Sequence, residues 1–357
     1  MNMKGQVINP LRERIVNLKV SNIFSADSRA MWTILALVII LLANRLISPN
    51  FFSVRLVNGR LVGSLINILD AAAPIALLAM GMTLVIATKG VDLSVGAVMA
   101  ICAAVAVVLI RRYENGATEF YYTPGFVILI AIGVGALCGL WNGILVALLN
   151  IQPIIATLIL MVAGRGVAQM LTKGQSPTFT NETLAFVGRG VIFGVPFPIY
   201  LAIVVLVIMY LLVRWTALGL LIESVGINDR ASYYSGINAS LIKLSVYILA
   251  GMCAALAGLI VAGEVKSADP HKAGLWSELD AILAVVIGGT ALSGGRFYLG
   301  LSVMGVLIIQ SILTGLYVSN LHPTANLVVK AIVVLLVLLL QSDEFRNVIT
   351  QPFRRKA

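Results

Sequence analysis

Charge is scarce in this 357-residue chain: Asp, Glu, Lys and Arg make up 11% of it, against a hydrophobic share of 60%. Soluble domains carry about 25% charged and about 45–50% apolar residues. So small a supply of charge cannot cover a water-facing surface, and much of the apolar surface must face something else. Intrinsic disorder is excluded too, because disordered chains are rich in charge and poor in apolar residues. Cysteine is nearly absent. Cys102, Cys138 and Cys253 are an odd count, each inside an apolar run, and offer neither a disulfide framework nor a thiolate metal cluster. His271 and His322 are the only histidines, and both fall in loops, so a histidine metal site within a bilayer is not expected. No stretch fits G-x-x-x-x-G-K-S/T, so the chain carries no phosphate loop and is not expected to hydrolyse ATP itself.

What the chain has instead is a succession of apolar runs. A helix crossing a hydrocarbon core of about 30 Å needs about 20 mostly apolar residues. Ten runs are candidates, near 30–47, 65–87, 92–110, 125–149, 153–172, 198–213, 243–263, 279–292, 298–318 and 325–341. None shows the strict alternation of a barrel strand. The expected fold is therefore an all-α integral membrane protein of about ten transmembrane helices. Its expected parts are a tail over 1–29, a transmembrane domain over 30–341 and a second tail over 342–357. The first run follows Arg12, Arg14, Lys19 and Arg29 and is followed by Asn44–Arg45 rather than small cleavage-site residues, which favours an uncleaved span over a signal peptide. The net charge of +10 fits basic residues near lipid head groups and not a nucleic-acid partner. Lys4, Arg12, Arg14, Lys19 and Arg29 precede Trp32, and Arg346, Arg354, Arg355 and Lys356 follow Glu344, which favours both termini in the cytoplasm.

Within a bilayer, helices associate through small residues and shared polar groups. Gly135, Gly139 and Gly143 recur every four residues, and Ala250, Ala254, Gly258 and Ala262 do the same, so two helices present close-packing faces. Ionisable residues inside spans are functional hypotheses by default. Asn67 and Asp70 stand in the second run, and Asp92 and Ser94 in the glycine turn Ala87–Ala100. Glu278 and Asp280 open the eighth run, where a carboxylate also suits a helix N-terminus. Asn142, Gln152, Thr157 and Gln169 add neutral groups to the fourth and fifth. Asn67, Asp70, Asp92, Ser94, Asn142, Gln152, Thr157 and Asp280 are the candidate translocation path, a set better matched to an uncharged, hydroxyl-rich solute than to an ion. Lys330, one turn inside the last run, can snorkel to the head groups. A second glycine turn, GGTALSGGR, covers Gly288–Arg296, and its Ser293 has no histidine on the same side to make a hydrolase. The polar stretch 215–240 carries Glu223, Asp229 and Arg230 and suits a short helix docking into a soluble partner.

Three segments then become recognisable. GMTLVIATKGVDLSVGAVMA (81–100), IESVGINDRASYYSGI (222–237) and ELDAILAVVIGGTALSGGR (278–296) resemble, in order, the permeases of bacterial ABC sugar importers of the ribose, arabinose, xylose and galactose type. Within that family, the stretches 139–169 and 273–289 are most similar to galactofuranose permeases. The resemblance implies a permease of the vitamin B12-importer type (type II) in the bacterial inner membrane, working by alternating access. It implies no cofactor on this chain, with ATP and magnesium held by partner ATPase subunits. It also implies a periplasmic sugar-binding protein and a second permease chain as partners. Glu223, Gly226, Asn228, Ala231 and Gly236 are implied to belong to the loop that docks on the ATPase. Lys89 departs from the family, which has the first of two glycines there, and Ala231–Ser232 stands where a double alanine is usual. Import of another monosaccharide, or an ion-coupled transporter using Asp70, Asp92 and Lys330 as a relay, are the competing expectations.

Overall fold

The computed structural model describes residues 30–57 and 59–318, together with Val328, Ala331, Ile332, Leu335 and Leu339. The two tails, His322 and Lys330 lie outside the described residues.

In chain order the elements are α1 (Ala30–Ile47), β1 (Arg55–Val57), β2 (Arg60–Val62), α2 (Ser64–Ala87), α3 (Val95–Glu114) and α4 (Pro124–Gly143), which a π turn prolongs through Ile144–Leu148. There follow α5 (Pro153–Thr172), α6 (Glu182–Arg189), β3 (Val191–Ile192), β4 (Val195–Pro196), α7 (Phe197–Trp215), α8 (Leu218–Ile227), α9 (Asp229–Tyr234), α10 (Ala239–Val265), α11 (Ser277–Ile287) and α12 (Leu299–Val318). Among the described residues, eight of these helices are long and apolar enough to cross a membrane: α1 to α5, α7, α10 and α12. Local chemistry sets their starts. Proline occupies the first turn of α4, α5 and α7, where the missing N–H costs nothing. Asn181, Asn228 and Asn238 cap α6, α9 and α10 by accepting a backbone N–H three residues on.

The centre of the bundle is α2 beside α10, and small residues put it there. A Cβ added at Gly81 would lie 2.8 Å from the Ala250 Cα. The glycine stripe of α4 lies on α10 as its spacing predicts: Gly135 faces the Gly251 carbonyl, Gly139 the Tyr247 carbonyl and Gly143 the Leu244 side chain. Polar groups add to this packing at buried positions. Thr83 Oγ1 donates to Ser302 Oγ at 2.9 Å, and Asn44 Nδ2 to the Ser311 carbonyl at 2.8 Å, joining α2 and α1 to α12.

Two ends of the bundle can be told apart. One carries the hairpins β1–β2 and β3–β4, linked where Leu61 N–H donates to the Gly194 carbonyl at 2.8 Å. The other, called here the loop end, carries α8, α9 and the turns after α2 and α11. The eighth run departs from a simple span. Its helix α11 is 11 residues, about 16 Å at 1.5 Å per residue, half a hydrocarbon core. It begins at Ser277 and stops where Gly288 presses on the Leu301–Ser302 backbone and Gly289 takes φ 85°. The hairpin-end half of the crossing is irregular chain over 266–276, with Gly274 at φ 63° and Trp276 at φ 64°. Hydropathy marks an apolar run at 279–292 and a polar, proline-bearing stretch before it, but does not reveal that this stretch fills the hairpin-end half of the crossing. The five positions described between 328 and 339 are helical and belong to the run expected as the tenth span.

Candidate functional site

The three segments that carry the resemblance meet at the loop end. Gly226, near the end of α8, lies so close to the Ala87 carbonyl of α2 that a Cβ would collide with it, and that Cβ would also stand 2.6 Å from the Gly295 nitrogen. Gly295 N–H in turn donates to the same Ala87 carbonyl at 2.9 Å. Lys89 closes the junction. Its backbone is left-handed, φ 63°, the conformation that glycine adopts at least cost. Its Nζ donates to the Ile227 carbonyl at 3.0 Å, capping the C-terminus of α8, where positive charge is favoured. The departure from paired glycines thus keeps the glycine-like turn and adds a tether from the α2–α3 turn to α8.

Each residue assigned to the docking loop has a place in this junction or beyond it. Glu223 lines a groove of about 530 Å³ with Val213, Leu220, Tyr298 and Leu301. Asn228 Oδ1 accepts from Ala231 N–H at 3.1 Å, which starts α9. Gly236 ends that helix at φ 83°. Around them Leu220, Ile227, Tyr233 and Tyr234 are exposed, Tyr234 by 87%. Asp229 pairs with Lys243 at 2.6 Å. Partial burial of Asp229 acts to raise its pKa, but the hydrogen bond and charge of Lys243, a backbone N–H and the charge of Lys89 outweigh it, so the carboxyl sits below its ordinary value.

Of the eight candidate path residues, four are brought together. Asp92 Oδ1 accepts from Ser94 Oγ at 2.6 Å, from Ser94 N–H at 2.9 Å and from Asn142 Nδ2 at 3.3 Å. Asn142 Nδ2 reaches Ser94 Oγ at 2.8 Å, and Thr157 Oγ1 accepts from Leu93 N–H at 3.1 Å. All four side chains are buried, and together they pin the α2–α3 turn to α4 and α5. Gln152 is exposed beside this cluster, on a cavity of about 250 Å³ shared with Lys89, Asp229, Lys243 and Tyr247. Asn67 and Asp70 stand apart, in the hairpin-end turns of α2. Asn67 is exposed, and Asp70 Oδ2 is ion-paired to Arg60 at 2.9 Å. Asp280 lies half-buried in the first turn of α11.

Two ionisable residues outside the expected path set sit against the broken crossing. Arg165 is in the body of α5 and donates to the Ala273 carbonyl. Glu278 is 2% exposed, and its Oε2 has no hydrogen-bond partner. The sequence signal for Arg165 is a lone charge in the apolar run 153–172, which by itself marks a span residue of interest. Nothing in the sequence ranks Glu278 above Asp280, because burial distinguishes them only once α11 is placed. Among the described residues no group of three or more His, Cys, Asp or Glu is arranged to hold a metal ion.

Residues 64–339 match the family model for the permease component of branched-chain amino acid transport systems. The chain is 54% identical over 316 residues to the galactofuranose transporter permease protein YtfT of Escherichia coli K12, covering 88% of this chain and 90% of that protein. It is 38% identical to the fructose import permease protein FruF of Bifidobacterium longum, covering 93% and 92%. The ribose import permease protein RbsC of Escherichia coli K12 is 36% identical, covering 87% and 93%. No solved structure matches the chain.

Proposed function

Because the chain belongs to the family of branched-chain amino acid transport permease components, we propose that it forms the membrane path of an ATP-driven sugar importer whose solute is galactofuranose. A permease component is not itself an enzyme, and hydrolysis of ATP belongs to partner ATPase subunits. ATP and magnesium reside on those subunits, and no cofactor is assigned to this chain. A periplasmic binding protein delivers the sugar at the hairpin end, and a second permease chain completes the path. Both termini lie in the cytoplasm, the side of the loop end.

The observation that carries this reading is the convergence of Ala87–Lys89, Gly226–Ile227 and Gly295 at one junction, beside the exposed α8–α9 surface. A soluble ATPase that grips this surface moves α8, and α8 has backbone contact with the end of the central helix α2. Glu223, Gly226, Asn228, Ala231 and Gly236 are the docking residues, Glu223 by its charge and the others by shaping the two short helices. Nucleotide biases the cycle only through its different affinity for the two ATPase arrangements. The path passes Asp92, Ser94, Asn142 and Thr157, with Gln152 at the loop-end mouth, Asp280 on the broken wall, and Asn67 and Asp70 at the hairpin-end mouth. Substrate identity rests on the 54% relative named for galactofuranose.

The test is charge reversal at the docking surface. In proteoliposomes carrying the whole importer, Glu223→Lys is expected to cut sugar uptake by about tenfold or more, the size of a lost charge-assisted contact, while the permease stays inserted. Uptake and ATPase activity at wild-type levels in that variant would remove Glu223 from the coupling surface.

A further inference from the structure

The face shared by α5 and the broken crossing combines features that lipid does not tolerate. Arg165 is half-buried in the body of a spanning helix, and the chain opposite it, 266–276, is not helical. Within the hydrocarbon region, charge and irregular backbone persist only against protein or a water-filled path. Yet the face is open in the isolated chain. Trp276 is 57% exposed, and Gly166 has nothing within 4 Å of where a Cβ would stand. Glu278 adds a buried carboxylate oxygen, Oε2, with no hydrogen-bond partner, an arrangement that costs free energy unless a ligand or water supplies a donor.

We infer that Arg165, Trp276 and Glu278 form a transit site for the vicinal hydroxyls of a neutral sugar, an inference that rests on the sugar-importer reading. The chemistry is complementary on four counts. A guanidinium has five donors, of which Arg165 directs one nitrogen to the Ala273 carbonyl, so donors remain for hydroxyl oxygens. Glu278 Oε2, which lies against Gly96, accepts from a hydroxyl once that contact opens. The two charges cancel, which leaves no net attraction for an ion. Trp276, two residues before Glu278, supplies a flat apolar ring for the C–H face of a sugar, the usual division of labour in a pocket for a polar ligand. One turn further towards the hairpin end, Gln169 Nε2 and His271 Nδ1 stand 3.4 Å apart and offer a preceding step. Towards the loop end the way is shut, because Gly96 and Gly274 meet backbone to backbone and a Cβ on Gly96 would strike both the Gly274 carbonyl and Glu278 Oε2. The site is therefore the last stop before a closed constriction.

The experiment uses the complete importer in proteoliposomes with its binding protein, and galactofuranose, ribose and galactose as probes. For Trp276→Ala and for Glu278→Gln, uptake of the preferred sugar is expected to fall about tenfold while ATPase stimulation by the loaded binding protein stays within about twofold, so the ATP used per sugar rises. Trp276→Phe, which keeps a ring, is expected to retain most uptake. Wild-type uptake in both Trp276→Ala and Glu278→Gln would overturn the site, as would uptake and stimulated ATPase falling in proportion. A wild-type complex whose ATPase responds to none of the three sugars would overturn the importer reading, and the site with it. A responsive wild type with unaffected variants overturns the site alone.

Discussion

Lys89 shows how one side chain can serve two demands at once. A non-glycine residue at φ 63° carries a cost of about 1–2 kcal/mol, so something must hold it there. Its ammonium on the Ile227 carbonyl offsets part of that cost and ties the turn to α8. Two substitutions separate the roles. Lys89→Ala keeps the strained conformation and loses the tether, and thermal unfolding of the purified permease is expected to move to lower temperature. Lys89→Gly loses the tether but relieves the strain, so its unfolding temperature is expected to match or exceed that of the wild type. Both variants are expected to use more ATP per sugar. If Lys89→Gly unfolds as early as Lys89→Ala, the backbone account of this position is wrong. The role of Lys89 can be framed from sequence, as a lysine in place of glycine, but not resolved there. Only the position of the Ile227 carbonyl, brought close by folding across 138 residues of chain, gives the ammonium a partner.

At the scale of elements, the α4–α10 seam is legible in the sequence because its code is local. Three glycines four apart can only put three glycines on one face of a helix. The paired variants Gly139→Ala and Gly133→Ala test how much that face matters. At Gly139 a methyl would strike the Tyr247 carbonyl, whereas at Gly133 nothing lies within 4 Å. The first is expected to destabilise the permease by about 1–3 kcal/mol, the range for overpacking, and the second to leave it within about 0.5 kcal/mol. A denaturation series in detergent reads both. The broken eighth crossing is legible only in part, for the complementary reason that its contacts are not local. Hydropathy does mark 266–276 as a polar loop, with Lys266, Asp269, Pro270, His271 and Lys272, but not its return between α5 and α3, because its contacts with Arg165 and Gly96 join residues far apart in the chain. Gly274 and Trp276 lie left-handed because the chain must turn against Gly96. Pairing of the path residues is legible in part. Asp92 and Ser94 are neighbours in sequence, but the Asn142 and Thr157 side chains join them from other helices.

For the molecule as a whole, the mostly helical membrane architecture follows from composition, while its sidedness rests on a thin excess of basic residues in the tails. Labelling settles the orientation. Phe193, 96% exposed between β3 and β4, and Tyr234, 87% exposed at the end of α9, mark opposite ends. In whole cells, Phe193→Cys is expected to react with a membrane-impermeant maleimide, and Tyr234→Cys only after the cells are opened. The reverse pattern would invert the topology. Of the native thiols, Cys102 and Cys253 are buried and Cys138 is half-buried, so the background should be low. The junction at Gly226 has a mechanical meaning for the assembled importer. A joint made through long side chains has play, since rotamers absorb small displacements before anything beyond them moves. Where Gly226 lies directly on the Ala87 carbonyl there is no side chain to take up that slack, so the joint is stiff. If the ATPase docks on α8 as proposed, a push there would reach the central helix in full, and so would any inaccuracy in its seating.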